Sequence, residues 1–276
     1  MSLFLKGDCL ELMKTLPDKS VDCFCLDLPY GQLTMGKDEN VRAFAGPNSK
    51  HYINKVGCPW DIPINLEQLW IQIKRLCRNE NTPVLMFCNT KFGNELINSN
   101  PDWFRYDLVW NKERGVSFLL ANKMPMKSHE MIYVFSKKGS YYKRIDIEGD
   151  FKFQDRSKVK PSNTTTYSFV ASGKCIPKNN ISATERCPLS VINVKGSKTQ
   201  GNHPTEKPKE LYEWLLKRYC VEGGTMLDAT AGSFNSVFVA QQLGYKGIGI
   251  EKDNKFFYKA IQQLQNHITE LPSMPS

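Results

Sequence analysis

The sequence predicts an α/β fold built on a doubly wound parallel sheet, and three observations carry that prediction. Short apolar runs alternate with stretches of helical periodicity along most of the chain, the pattern of strands covered on both faces by helices. A small-residue turn, Ala231-Gly232-Ser233, separates a late apolar run from a helix-like stretch, as at the ligand-binding corners of such sheets. The chain has 276 residues, 41% of them hydrophobic, enough for one large domain with an insertion.

Six runs read as strands: residues 21–26, 83–88, 104–110, 130–135, 225–228 and 247–250. Each is short enough to be buried on both faces. Asn65 is placed to cap a helix in which Leu66, Leu69, Trp70, Ile73 and Leu76 share one face, and Gln68 sits at the capping-box position. Pro208 suits the first turn of a second helix with Leu211, Trp214, Leu215 and Tyr219 inward. Val237, Phe238, Ala240 and Leu243 belong to a third, and Phe256, Ala260, Ile261, Leu264 and Ile268 line a fourth after Asp253, the natural capping acid. These stripes read as core.

Two long pieces break the alternation. Residues 32–63 are rich in Gly, Asn, Lys and Asp, and loops of such length inside a domain are functional or mobile. Residues 138–202 are full of Ser, Thr, Asn and Lys and read as an inserted recognition module, leaving 1–137 and 203–276 as the main domain. The net charge of +9 concentrates in that insert. Between Lys143 and Lys198, eleven basic residues (Lys143, Arg144, Lys152, Arg156, Lys158, Lys160, Lys174, Lys178, Arg186, Lys195 and Lys198) face five acids, with Phe151, Phe153, Tyr167 and Phe169 interleaved. A polyanion suits that mixture, because phosphates attract the charges while rings pack or stack.

Several classes are disfavoured. No run approaches eighteen apolar residues and the first residues lack a signal-peptide layout, so a cytoplasmic protein without a membrane span is expected. Nine cysteines without a Cys-x-x-Cys pair read as buried thiols, and four scattered histidines predict no metal site. A dinucleotide fingerprint and a Walker loop are both missing from the glycine turn.

Chemistry gathers at three places. Asp27-Leu28-Pro29-Tyr30 follows a strand and delivers a carboxylate, a fixed turn and an aromatic ring together, a combination fit to grip a flat, amine-bearing ring. Glu251 ends a strand roughly twenty residues beyond the glycine turn, where an acid accepts hydrogen bonds from the hydroxyls of an adenosine ribose. Thr205 and Lys207, in His203-Pro204-Thr205-Glu206-Lys207-Pro208, could hold a small carboxylate.

In chain order, Asp27-Leu28-Pro29-Tyr30, His203 to Pro208, Asp228 to Ser236 and Glu251 resemble the motifs of the β-class amino-methylating DNA methyltransferases, whose permuted arrangement places the catalytic corner before the target-recognition region and the S-adenosylmethionine turn last. Gly7-Asp8-Cys9-Leu10-Glu11-Leu12-Met13 resembles that family's segment near the cofactor adenine. The likeness implies a Rossmann-like methyltransferase sheet with circularly permuted motif order, S-adenosylmethionine as cofactor, and double-stranded DNA as partner. It implies transfer to the N6 amine of adenine by base flipping, with Asp27, Leu28, Pro29 and Tyr30 catalytic. Asp228, Thr230, Gly232, Ser233 and Asn235 would line the methionine side, with Asp27 touching its amino group. Glu251 with Lys252 would face the ribose, Asp8 and Cys9 the adenine, and His203, Thr205 and Lys207 the carboxylate end. The eleven basic residues would contact DNA and 32–63 would be a mobile loop facing it. A homodimer and a cognate restriction endonuclease are further partners that the resemblance allows. Cytosine-N4 methylation, an RNA or free-base amine as substrate, and a DNA-binding relative impaired in catalysis stand as alternatives. The last is motivated by three departures: Leu28 replaces a proline of Asp-Pro-Pro-Tyr, while Thr230 and Phe234 replace the phenylalanine and second glycine of Phe-x-Gly-x-Gly.

Overall fold

The computed structural model describes residues 2–31, 61–116, 118, 121–148, 185–196 and 206–269. In chain order its strands are β1 (Leu3–Lys6), β2 (Cys23–Leu26), β3 (Val84–Cys88), β4 (Phe104–Val116), β5 (Lys127–Phe135), β6 (Ile147–Glu148), β7 (Glu185–Arg186), β8 (Val191–Asn193), β9 (Thr225–Asp228) and β10 (Lys246–Glu251). The α-helices are α1 (Cys9–Lys14), α2 (Leu66–Leu76), α3 (Thr90–Ser99), α4 (Lys209–Tyr219), α5 (Asn235–Gln242) and α6 (Asn254–Thr269).

Eight strands form one sheet in the order β1-β10-β9-β2-β3-β5-β4-β8. The first five of these run parallel, and β5 is antiparallel to both β3 and β4. From β9 the chain passes through α5 to β10 on one side; from β2 it proceeds through α2 to β3 on the other. The boundary between β2 and β9 is therefore a topological switch point, where crossovers diverge and leave a crevice at the strands' carboxyl ends.

Side-chain alternation splits the core in two. Cys23, Cys25, Leu85, Phe87 and Met226 pack against α4 and α5 through Leu211, Leu215, Val237 and Phe238. Phe24, Leu26, Met86, Cys88 and Leu227 pack oppositely, with Leu69, Ile73 and Leu76 of α2 and Phe92 and Leu96 of α3. All four residues of β2 and all five of β3 are buried, as strands sandwiched between helices must be. Each such aliphatic or phenyl side chain contributes about 1.5–3 kcal/mol.

The structure adds to and corrects the sequence reading. β4 and β5 run past the apolar stretches 104–110 and 130–135 as a hairpin, because a two-stranded ribbon needs no apolar alternation once it leaves the core. β1, β8, α1 and α3 are additional elements. Asn65 caps α2 as expected, accepting from the Gln68 N–H at 3.0 Å, and Asp253 caps α6, accepting from the Lys255 N–H at 2.8 Å. Pro208 occupies the N-cap of α4 rather than its first turn. Cys187 is exposed, unlike Cys9, Cys23, Cys25, Cys77, Cys88 and Cys220. It directly follows β7 and is close in the chain to Leu189, which is itself exposed.

Contacts divide the chain into two compact units, Met1–Lys143 with Ser190–Ser276, and Arg144–Leu189. Residues 138–143 belong to the first because the Lys138, Tyr141 and Lys143 N–H groups donate to the carbonyls of Glu80, Asn81 and Arg218 at 2.8, 2.8 and 2.7 Å. β8 belongs there through its pairing with β4. Within the second unit, β6 and β7 form an antiparallel pair, and Arg144 holds Asp146 through a forked ion pair. Among the described residues no helix is long and apolar enough to cross a membrane.

Candidate active site at the switch point

β2 ends at Leu26, which releases Asp27 at the carboxyl edge of the sheet. The Leu28 side chain is buried (2% exposed) and joins the core beside Leu26 and Phe24. The residue that replaces the expected proline thus anchors the corner by burial instead of ring rigidity. The Asp27 carboxylate is engaged on both oxygens. Lys207 Nζ lies 2.6 Å from Oδ2, and the Tyr30 hydroxyl donates to Oδ1 at 3.2 Å. One face of the Tyr30 ring stacks on Phe92, centroids 5.0 Å apart. Burial pushes the Asp27 carboxyl up, against the opposing pull of Lys207.

The neighbouring corner grows from β9. Asp228 accepts from the Thr230 N–H at 3.1 Å and from the Ser236 hydroxyl at 2.6 Å, closing a tight turn. The Thr230 hydroxyl donates to the Asp27 carbonyl at 3.0 Å, so the two corners are bonded to each other. Gly232 adopts φ +51, and Phe234 at the N-cap of α5 adopts φ +60. Phe234 retains the left-handed backbone that a glycine would supply, its ring buried and stacked on Phe4 at 5.0 Å. The Gly232 and Asp253 N–H groups donate to the two oxygens of Glu251 at 2.8 and 2.6 Å. Burial raises the Glu251 carboxyl.

These groups converge on a cleft of ≈ 930 Å³. Asp8, Cys9, Asp27, Leu28, Pro29, Tyr30, Lys207, Thr230, Gly232, Ser233, Glu251 and Lys252 all line it. Asp228 and Asn235 are buried behind the wall. Asn235 ties the 206–208 stretch to α5 by donating to Glu206 Oε1 at 2.6 Å and to the Lys207 carbonyl at 3.1 Å. Lys252 pairs with Asp8 across 3.1 Å. Lys207, expected at a cofactor carboxylate, lines the cleft with its ammonium paired to Asp27. His203 and Thr205 lie outside the described residues, as do 32–60 and the basic residues Lys152, Arg156, Lys158, Lys160, Lys174, Lys178 and Lys198. Lys143 pairs with Glu222 at 2.5 Å, Lys195 follows β8, and Arg186 lies in β7.

Sequence reasoning gave no site role to Asp61 or Glu206 of the cleft, nor to Glu130 of β5. Glu130 sits 3.4 Å from Lys207 Nζ, and its other oxygen pairs with Lys112 at 2.5 Å. Its one local signal is a charge opening an otherwise apolar run. Among the described residues no group of three or more His, Cys, Asp or Glu could hold a metal.

Asp228 links this site to pH. Burial, opposed by the Ser236 and Thr230 hydrogen bonds, raises its carboxyl from 3.8 to about 7. The folded state therefore holds a proton that the unfolded chain has released between those values, and stability falls as pH rises through that window. Asp228→Asn is expected to flatten the decline in melting temperature between pH 4 and pH 7. An undiminished slope would assign the effect elsewhere.

Comparison with known proteins identifies the family to which this fold belongs. The sequence pattern of the N6/N4 family described as DNA methylase matches residues 21–263. The chain is 24% identical over 271 residues to the type II methyltransferase M.HinfI of Haemophilus influenzae, covering 96% of this chain and 68% of that protein. In structure it is similar to M1.HpyAVI, solved as a complex with SAM, with a TM-score of 0.55, 17% identity and coverage of 96% and 99% of the two chains. It is also similar to the cytosine-N4-specific PvuII DNA methyltransferase, with a TM-score of 0.58, 14% identity and coverage of 98% and 86%. Since the family match begins before β2 and ends within α6, it spans both corners of the cleft, and the chain belongs to the N6/N4 DNA methylase family.

Proposed function

We propose that the protein is a site-specific DNA methyltransferase that uses S-adenosylmethionine to methylate the exocyclic N6 amine of adenine in duplex DNA, with the target base flipped out of the helix. The observation that carries this reading is the Asp27 carboxylate, set at the switch point against the glycine turn and beside a half-shielded tyrosine ring.

The chain's residues fit the cofactor. A carboxylate offers about four lone-pair positions, so Glu251 can accept from two ribose hydroxyls while keeping its bonds to the Gly232 and Asp253 N–H groups. Asp8, Cys9 and Lys252 would border the adenine and ribose, and Thr230, Gly232 and Ser233 the methionine side. Asp228 and Asn235 would act from behind by holding the turn. S-adenosylmethionine supplies an electrophilic methyl group on a sulfonium.

An exocyclic amine is a poor nucleophile because its lone pair is delocalised into the ring. Two acceptors aimed at its protons, the Asp27 carboxylate and the Leu28 carbonyl, would localise that pair toward the methyl. Tyr30 would receive the flipped base on the ring face opposite Phe92, and stacking of about 1–3 kcal/mol would offset part of the few kcal/mol that flipping costs. Transfer would then be an in-line displacement accelerated mainly by positioning, the nitrogen–methyl bond forming as the methyl–sulfur bond breaks to leave a neutral thioether, and the nitrogen then shedding its surplus proton to water.

Asp at position 27 supports adenine, since cytosine-N4 relatives more often carry Ser there. Labelled methyl transfer followed by nucleoside mass analysis tests this: N6-methyladenine is expected, N4-methylcytosine would move the target to the other base, and no transfer would sink the reading. The basic insert would grip phosphates flanking the site. Reversing charge at Lys158 and Lys160 is expected to weaken DNA binding and to flatten its salt dependence by about one unit of log–log slope per lost contact. Unchanged binding would place the DNA face elsewhere. A type II modification role beside a restriction endonuclease belongs to the same reading.

A further inference from the structure

The amine-gripping role proposed for Asp27 raises a problem of occupancy. Both carboxylate oxygens already accept hydrogen bonds, one from the Tyr30 hydroxyl and one from the Lys207 ammonium. A cation this close competes with an incoming amine for the same lone pairs and draws electron density away from them. Lys207 is itself buried (6% exposed) and held over the Phe87 ring at 5.3 Å, which keeps its ammonium beside the acid.

A second seat for that cation lies next to it. Glu130 Oε2 is buried without a hydrogen-bond partner among the described residues, 3.4 Å from Lys207 Nζ, which is within ion-pair range. Its companion oxygen is braced by Lys112, whose ammonium also lies 4.9 Å from the Trp110 ring centre. Because Oε2 is held by Lys207 only through that longer ion pair, it can take the ammonium at closer range. An ammonium has three donors, so Lys207 can tighten on Glu130 with only a small swing of its last methylenes.

We propose that Glu130, resting on the reading of Asp27 as the amine acceptor, is a positioning residue for methyl transfer: it draws the Lys207 ammonium off Asp27 Oδ2 when the target amine arrives. The exchange forms and breaks no covalent bond. Net charge within the Asp27, Glu130, Lys207 and Lys112 cluster stays at zero throughout. Tyr30 and the Cys88 thiol are the other titratable groups facing Glu130, and burial raises both, so the four charged groups set the response.

Glu130→Gln keeps the shape and removes the charge. Wild-type transfer is measured first, because its absence would sink the methylation reading itself. With wild-type transfer in hand, Glu130→Gln is expected to lower kcat about tenfold or more while KM for DNA and for S-adenosylmethionine changes little. Loss of the negative charge favours deprotonation of both Asp27 and Lys207, so both limbs of the kcat profile should move to lower pH. Glu130→Asp, which retains the charge, should leave the limbs in place and recover part of kcat. Wild-type kcat and unshifted limbs in Glu130→Gln would overturn the inference while leaving the methylation reading intact. A readout without any variant is the nitrogen-15 resonance of the Lys207 ammonium, expected to shift when DNA is added in the presence of S-adenosylhomocysteine. An unmoved resonance in a complex that binds DNA would also overturn it.

Discussion

Asp27→Ala is expected to abolish methyl transfer while cofactor affinity stays within a few-fold of wild type. The Leu28 carbonyl would remain, but one of two acceptors that localise the amine's lone pair would be gone. Removing a single preorganised partner of developing charge costs about 10²–10³ in kcat, and Asp27 also holds the Lys207 ammonium and the Tyr30 hydroxyl. Stability should fall less than activity. Breaking a buried pair by deleting one member costs about 3–5 kcal/mol when the survivor is stranded, yet Lys207 keeps Glu130 within 3.4 Å. Isothermal titration with S-adenosylmethionine, a thermal melt and a labelled-methyl assay separate the three quantities. An active Asp27→Ala enzyme would remove Asp27 from the chemistry.

The second large effect is expected at Gly249 of β10. A Cβ built there would lie 2.6 Å from Phe234 Cδ1 and 2.6 Å from Val237 Cγ2, inside any tolerable contact. Overpacking of this kind costs about 1–3 kcal/mol, sometimes more, so Gly249→Ala should lower the melting temperature by several degrees and loosen the glycine turn. Phe234→Gly removes the ring and relieves the left-handed backbone, but leaves a cavity that costs about 3–5 kcal/mol in the manner of Phe→Ala. Combined, the two substitutions should cost less than their sum, because the new methyl enters the space that the ring vacates. Additive losses would mean that ring and glycine are not a matched pair. The same pairing explains how the chain departs from a glycine-rich turn yet keeps its geometry.

Legibility followed the length scale of each signal. β2, β3 and β9 could be read because strands buried on both faces are continuous apolar runs. β1 and α1, at four and six residues, offer too few positions for any period to show. β8 is only three residues, Val191 to Asn193, inside a stretch whose bulk composition is polar, so composition hid it. The Asp27, Gly232 and Glu251 corner was legible because each residue ends or follows a strand at a recognisable spacing. Glu130 and Lys112 were not. Their meaning depends on the antiparallel register that brings β5 beside β3, and no local pattern encodes that pairing. Lys207 was legible as a functional lysine but not in its partner, since Asp27 lies far from it along the chain and meets it only through the switch point.

The Thr230 hydroxyl, bonded to the carbonyl of Asp27, has a consequence beyond its own turn. A phenylalanine at this position could press against its neighbour but would leave the neighbour free to slide; a threonine, stiff about χ1 and carrying a single donor, fixes distance and direction together. The substitution that looks like an erosion of the motif thus replaces a bearing surface with a hinge pin. Two segments that the chain makes far apart are pinned at one oxygen, so play in one corner is play in the other.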